Sequence, residues 1–178
     1  EENFFPVYCT NPFRMPAGPE ITKKEEESET AVFVISRIAG EGADRQAEGG
    51  DYFLTEEEHC RLEAVCRLYQ NVVIIVNAGG QIDLSFLDEF CNIKGLLILV
   101  QPGMEGGNAL ADILSGKVNP SGKLTDSWAY QYEDYPNSET FSHNNGNVER
   151  EYYEEGIYVV MNLDLVFHIQ SLPCQTVL

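Results

Sequence analysis

Glu41, Asp44 and Arg45 stand together in the segment Ala31–Leu54, AVFVISRIAGEGADRQAEGGDYFL, on a polar loop that follows directly on an apolar run. The run reads as a buried strand, and ligands of open α/β sheets bind outside the carboxyl ends of such strands. A carboxyl group on that loop is a candidate for general acid/base work, and Gly40 and Gly42 beside Glu41 admit backbone conformations that other residues resist. Arg45 has the forked donors to grip a carboxylate or a ligand hydroxyl. On spacing alone, a solvated loop held by a local Asp–Arg ion pair is the simpler reading.

Other chemistries find less support. Gly79-Gly80, and Gly103 with Gly106-Gly107, resemble phosphate-cradling turns, but neither matches G-x-G-x-x-G or the Walker pattern, and Glu105 would repel a phosphate. A flavodoxin-like nucleotide binder is therefore a weak alternative. No G-x-S-x-G elbow occurs, and His59, His143 and His168 have no obvious Ser or Cys partner. The acids Glu56–Glu58 suit the first turn of a helix better than a metal, and there is no Cys/His ligand set, so no metal is expected. The balance of 29 acidic against 11 basic residues, a formal charge of −18, disfavours nucleic acid and anionic membranes as partners. Cys9, Cys60, Cys66, Cys91 and Cys174 form no C-x-x-C pair and are odd in number. With no basic and apolar leader visible at Glu1-Glu2-Asn3, they point to a reducing compartment and a cytoplasmic location.

The elements that must position the loop read as β-α units. At 178 residues and 43% hydrophobic content the chain can bury a single sizeable core. Residues 1–30 form an extended Pro/aromatic segment and a charged linker. Its Phe4, Phe5, Tyr8 and Phe13 either cover this domain's core or dock elsewhere, and its prolines disfavour regular structure. Residues 31–160 carry strands at Ala31–Arg37, Asn71–Asn77 and Lys94–Val100. A helix begins near Thr55, where Thr55 and Glu58 have capping-box spacing, and places Leu62, Val65, Cys66 and Tyr69 on one face. Asp83 is a plausible N-cap for a short helix over Leu84–Phe90, a further helix covers about Gly107–Leu114, and Gly156–Val160 reads as one more strand. Unbroken apolar strands alternating with helices indicate a mainly parallel sheet covered on both faces. Residues 161–178, including DLVFHIQSLPCQTVL, form an atypical tail without clear periodicity.

Taken in order, VISRIAGEGADR, VVIIVNAGGQIDL, QPGMEGGNALADILSGKVNPSGKLTDSWA and YEEGIYV resemble the second domain of glycoside hydrolase family 3, in particular its β-glucosidase-like members, over about Asn11–Val159. The resemblance implies a three-layer α/β/α sandwich with a mainly parallel sheet. It also implies that the domain completes an active site whose Asp nucleophile belongs to a (β/α)8 barrel. The position matching the family's acid/base is Glu41, with Asp44 and Arg45 bracing the loop or touching a sugar hydroxyl. The implied substrate is a β-glucoside or oligosaccharide, the implied partner is the missing barrel of the same parent protein, and no cofactor is required. In retaining enzymes of this type the two carboxyl groups stand roughly 5 Å apart.

The departures are equally specific. Nothing here resembles the barrel's Lys-His-Phe segment or its Ser-Asp nucleophile strand, so the chain alone is expected to be inactive. The family's domain opens with an earlier strand, which would leave the sheet here with an exposed edge. After EGIYV the family continues Gly-Tyr-Arg-Tyr, where this chain has Val160-Met161-Asn162-Leu163. The alternative function is a noncatalytic carbohydrate-binding or interaction module with the same fold.

Overall fold

The structure, a computed structural model, describes residues 6–10, 21–23, 28–38, 45–124, 127–135 and 138–139. Its centre is a four-stranded sheet formed by β1 (Val7–Thr10), β2 (Thr30–Ser36), β3 (Asn71–Asn77) and β4 (Ile93–Ile98). The strands lie side by side in chain order and every pairing is parallel. Val and Ile dominate β2 and β3, where β-branched side chains suit a pleated surface packed on both sides. Their register runs unbroken from Thr30↔Asn71 to Ser36↔Asn77, so both strands deliver their following loops at the same level of the sheet.

Alternation sorts the side chains into two cores. Phe33, Ile35, Val72, Ile74, Val76 and Leu96 face one way and meet Leu62, Val65 and Tyr69 at helix α1 (Glu56–Leu68). Val32, Ile75 and Leu97 face the other way and are covered by Leu110, Ile113 and Leu114 of helix α2 (Gly106–Leu114). Helices thus lie on both faces, and the expected three-layer α/β/α sandwich is the architecture found.

The α1 N-terminus follows its sequence signal. Thr55 Oγ1 accepts from Glu58 N at 3.1 Å and Glu58 Oε2 accepts from Thr55 N at 2.9 Å, closing a capping box. At the other end Asn92 Nδ2 donates to the carbonyls of Cys66 and Tyr69, both at 2.8 Å, tying the helix exit to the start of β4. The short helix after Asp83 is instead a 3-10 turn, Ser85–Glu89, with Leu84 at its cap position and no side-chain cap. The Asp83 carboxylate is engaged by Ser85 N at 3.2 Å and Ser85 Oγ at 2.7 Å, a local turn interaction that competes with helix continuation.

The largest difference from the sequence reading is β1. Four residues of the proline-rich segment form a strand with the register Val7↔Val32 to Thr10↔Ile35, which covers the outer edge of β2. Hydrophobic pattern alone does not reveal so short an edge strand, because partner availability decides it. Tyr8 answers the open question about its own destination: it packs against this domain's core and its hydroxyl lies 2.9 Å from that of Tyr69. Lys23 Nζ sits 5.2 Å from the Tyr69 ring centre and 2.8 Å from Glu29, holding the linker to the same corner. Phe4, Phe5 and Phe13, the strand expected at Gly156–Val160 and the tail lie outside the described residues.

Burial also gives the fold a pH dependence. The Cys66 thiol is pushed up to about 12 from its ordinary 9.0, chiefly by desolvation and secondarily by Cys91. An unfolded chain loses that proton first, so stability is full below about pH 9 and falls as pH rises toward about 12. Burial raises the Tyr52 phenol as well and adds a contribution of the same sign. Urea melts across this range should show the Cys66→Ala variant losing less stability per pH unit than the wild-type chain.

Candidate active-site loop

The site begins where β2 ends. Arg37 is the first residue past the strand, yet its side chain is only 1% exposed. It meets the equally buried Glu58 as a fork, Nη1 to Oε1 at 2.8 Å and Nη2 to Oε2 at 3.0 Å. The remaining N–H groups donate to Ser36 O at 2.9 Å, Asp51 O at 2.7 Å and Phe53 O at 3.1 Å, so all five donors are used. Glu58 is at once the counter-ion of Arg37 and the capping residue of α1. One carboxylate therefore locks the strand exit to the helix entry.

Arg45 builds the second half of the loop base. Its Nε donates to Asp51 Oδ1 at 2.5 Å, its Nη2 to Asp51 O at 2.7 Å and its Nη1 to Gln81 O at 2.5 Å. The other Asp51 carboxylate oxygen accepts from Gln46 N at 2.6 Å. The Asp51 carbonyl thus receives a guanidinium N–H from each of two arginines, one on either side of residues 38–44 in sequence. Glu41 and Asp44 lie outside the described residues. Of the three residues singled out at the start, Arg45 alone is described, and it hydrogen-bonds Asp51 and Gln81.

A third segment closes the base. Gln81 Nε2 donates to Ser127 O at 3.0 Å and Gln81 Oε1 accepts from the Tyr135 hydroxyl. The same hydroxyl accepts from Ala129 N at 3.2 Å. Trp128, between the two attachment points, is buried in the main core. Tyr52 stacks edge-on against Tyr132 and Tyr135 at centroid distances of 5.1 and 6.3 Å, and its carbonyl accepts from Asp83 N at 2.9 Å. Gly80 makes room for the brace: a Cβ there would meet Arg45 Nη1 at 3.0 Å.

The glycine turn after β4 is structural. Asn108 Nδ2 donates to Glu105 Oε2 at 2.7 Å, so a carboxylate stands at the N-cap position of α2, where it would repel a phosphate. A Cβ on Gly106 would fall 2.3 Å from Pro102 Cγ, whereas one on Gly107 would meet nothing within 4 Å. Gly106→Ala should therefore lower stability by about 1–2 kcal/mol, overlap with a rigid ring outweighing the helical gain. Gly107→Ala should raise it by up to about 1 kcal/mol. Opposite shifts of the two thermal midpoints check this. Just before the turn, Val100 adopts φ 55°, a left-handed conformation that is a genuine outlier for a β-branched residue and stores strain at the carboxyl edge of the sheet. Among the described residues no group of three His, Cys, Asp or Glu is placed to hold a metal ion.

Residues 18–161 match the Glycosyl hydrolase family 3 C-terminal domain. The chain belongs to glycoside hydrolase family 3. It is 33% identical to Beta-glucosidase A of Butyrivibrio fibrisolvens over 88% of this chain and 22% of that protein. It is 38% identical to a Beta-glucosidase of Ruminococcus albus over 82% of this chain and 15% of the relative. The fold matches a β-glucosidase from Paenibacillus barengoltzii with a TM-score of 0.66 and 40% identity, over 74% of this chain and 14% of that one. It matches β-glucosidase 3B from Thermotoga neapolitana, in complex with α-D-glucose, with a TM-score of 0.67 and 35% identity, over 74% and 19% of the two chains. This family 3 domain thus spans less than a quarter of the length of those relatives.

Arg37, Asp51, Gln81 and Tyr135, and the pairing of Glu58 with Arg37, escaped the sequence reading. For Arg37 a signal was present: a guanidinium continuing an apolar strand must be buried or turn outward, and Glu58 was already marked as a capping acid. Gln81 and Tyr135 are 54 residues apart and carry no such signal.

Proposed function

We propose that this domain supplies Glu41 as the acid/base of a retaining, β-glucosidase-type hydrolysis of terminal β-linked glycosyl residues. The reading is supported most directly by the base of the loop that bears it, where Arg37 and Arg45 converge on the Asp51 carbonyl from either side of the Glu41 segment. A proton donor must hold its geometry through two chemical steps, and rigid anchoring of both stems serves that need. Glu41 would first protonate the leaving-group oxygen and then deprotonate the attacking water, facing an Asp nucleophile roughly 5 Å away on the parent protein's barrel. Asp44 and Arg45 would border the sugar, Arg45 from its braced position.

Without the barrel the chain is proposed to be inactive, since one carboxylate cannot perform a double displacement. A chimaera in which this chain replaces the corresponding stretch of the Ruminococcus albus relative tests the function. It should release aglycone from an aryl β-glucoside, while the isolated chain should not. A folded but inert chimaera would favour the noncatalytic module.

A further inference from the structure

We infer that Asp51 is a positioning residue for the loop acid, clamping the C-terminal stem of the Glu41 loop through Arg45; this rests on the function proposed above. Three observations converge on it. Its carbonyl takes one N–H from Arg37 at 2.7 Å and one from Arg45 at 2.7 Å. Its carboxylate takes Arg45 Nε at 2.5 Å and the Gln46 backbone N–H at 2.6 Å. Arg45 in turn reaches across to Gln81 O at 2.5 Å, and Gln81 is held by Ser127 and Tyr135.

Asp51 thereby connects the two guanidinium anchors, and Arg45 connects Asp51 to the loop after β3. The Arg45–Asp51 pair is about one-fifth exposed on each side, so it is partly shielded from solvent. Charge-assisted, forked bonds of this kind fix direction as well as distance. Glu41 is four residues from Arg45. Releasing the stem should therefore move the acid relative to the glycosidic oxygen while leaving the sheet intact.

Two readouts separate this from a purely structural role. In the chimaera, Asp51→Asn should lower kcat for an aryl β-glucoside with a poor, high-pKa leaving group by about tenfold or more, because that substrate needs the proton in the transition state. With a 2,4-dinitrophenyl leaving group, which departs without help, the first step should be nearly unchanged, as seen in the burst of aglycone. In the isolated chain, trypsin cleavage after Arg45 should accelerate about tenfold in Asp51→Asn as local opening becomes easier, with cleavage after the exposed Lys117 unchanged.

Equal losses on both substrates, or an unchanged Arg45 cleavage rate, would overturn the positioning role while leaving Glu41 in place. If the wild-type chimaera is active and Glu41→Ala leaves that activity intact, the acid/base assignment fails instead.

Discussion

Replacing Glu58 by Ala should cost about 3–5 kcal/mol of folding stability, the expected loss when one member of a buried ion pair is removed. The Arg37 guanidinium would remain 1% exposed with two donors facing a void, and Thr55 N would lose its capping acceptor. Against the 5–15 kcal/mol typical of whole domains, that brings the chain near its folding limit. The thermal midpoint should fall by roughly 10–15 °C for a domain of this size. Removing the charge with the shape preserved separates pairing from packing. The double variant Arg37→Met with Glu58→Leu should be less destabilised than Glu58→Ala alone, because no charge is left buried. Urea melts of the three proteins measure the difference, and equal losses for the single and double variants would contradict it.

Glu41→Gln should reduce kcat/KM of the chimaera on a poor-leaving-group aryl β-glucoside by about 100- to 10,000-fold, the usual contribution of a positioned acid/base. The amide cannot give up a proton, yet it preserves size and hydrogen-bonding reach. Binding should change far less than turnover, since the carboxyl group's work lies in the transition state. Thermal melting of the variant should match the parent, since the amide keeps the size and shape of the carboxyl group.

Much of the fold was legible because its signals are local. Asn71–Asn77 is an unbroken apolar strand with both termini read correctly, and the Thr55–Glu58 capping box marked the start of α1. The Val7–Thr10 strand was not legible, since four residues in a proline-rich segment become a strand only when β2 offers an edge. Asp83 misled for a related reason: its carboxylate satisfied Ser85 locally and produced a 3-10 turn in place of a capped helix.

The site divides in the same way. The Glu41 loop announced itself through its glycines and charges after an apolar run, and family resemblance gave the acid its role. The base of the loop, Arg37 with Glu58 and Arg45 with Asp51 and Gln81, depends on contacts up to 36 residues apart. No sequence spacing encodes the Arg45–Gln81 contact, because it forms only where the β2–β3 register delivers both loops to the same level of the sheet.

Azide rescue tests the acid/base assignment most directly. In a Glu41→Ala chimaera turning over a 2,4-dinitrophenyl β-glucoside, the first step should proceed and the second should stall for want of a base. Added azide, which needs no deprotonation, should then restore turnover and yield the β-configured glucosyl azide, as expected for a retaining mechanism. Full activity of Glu41→Ala on poor and good leaving groups alike, with no azide adduct, would contradict the assignment.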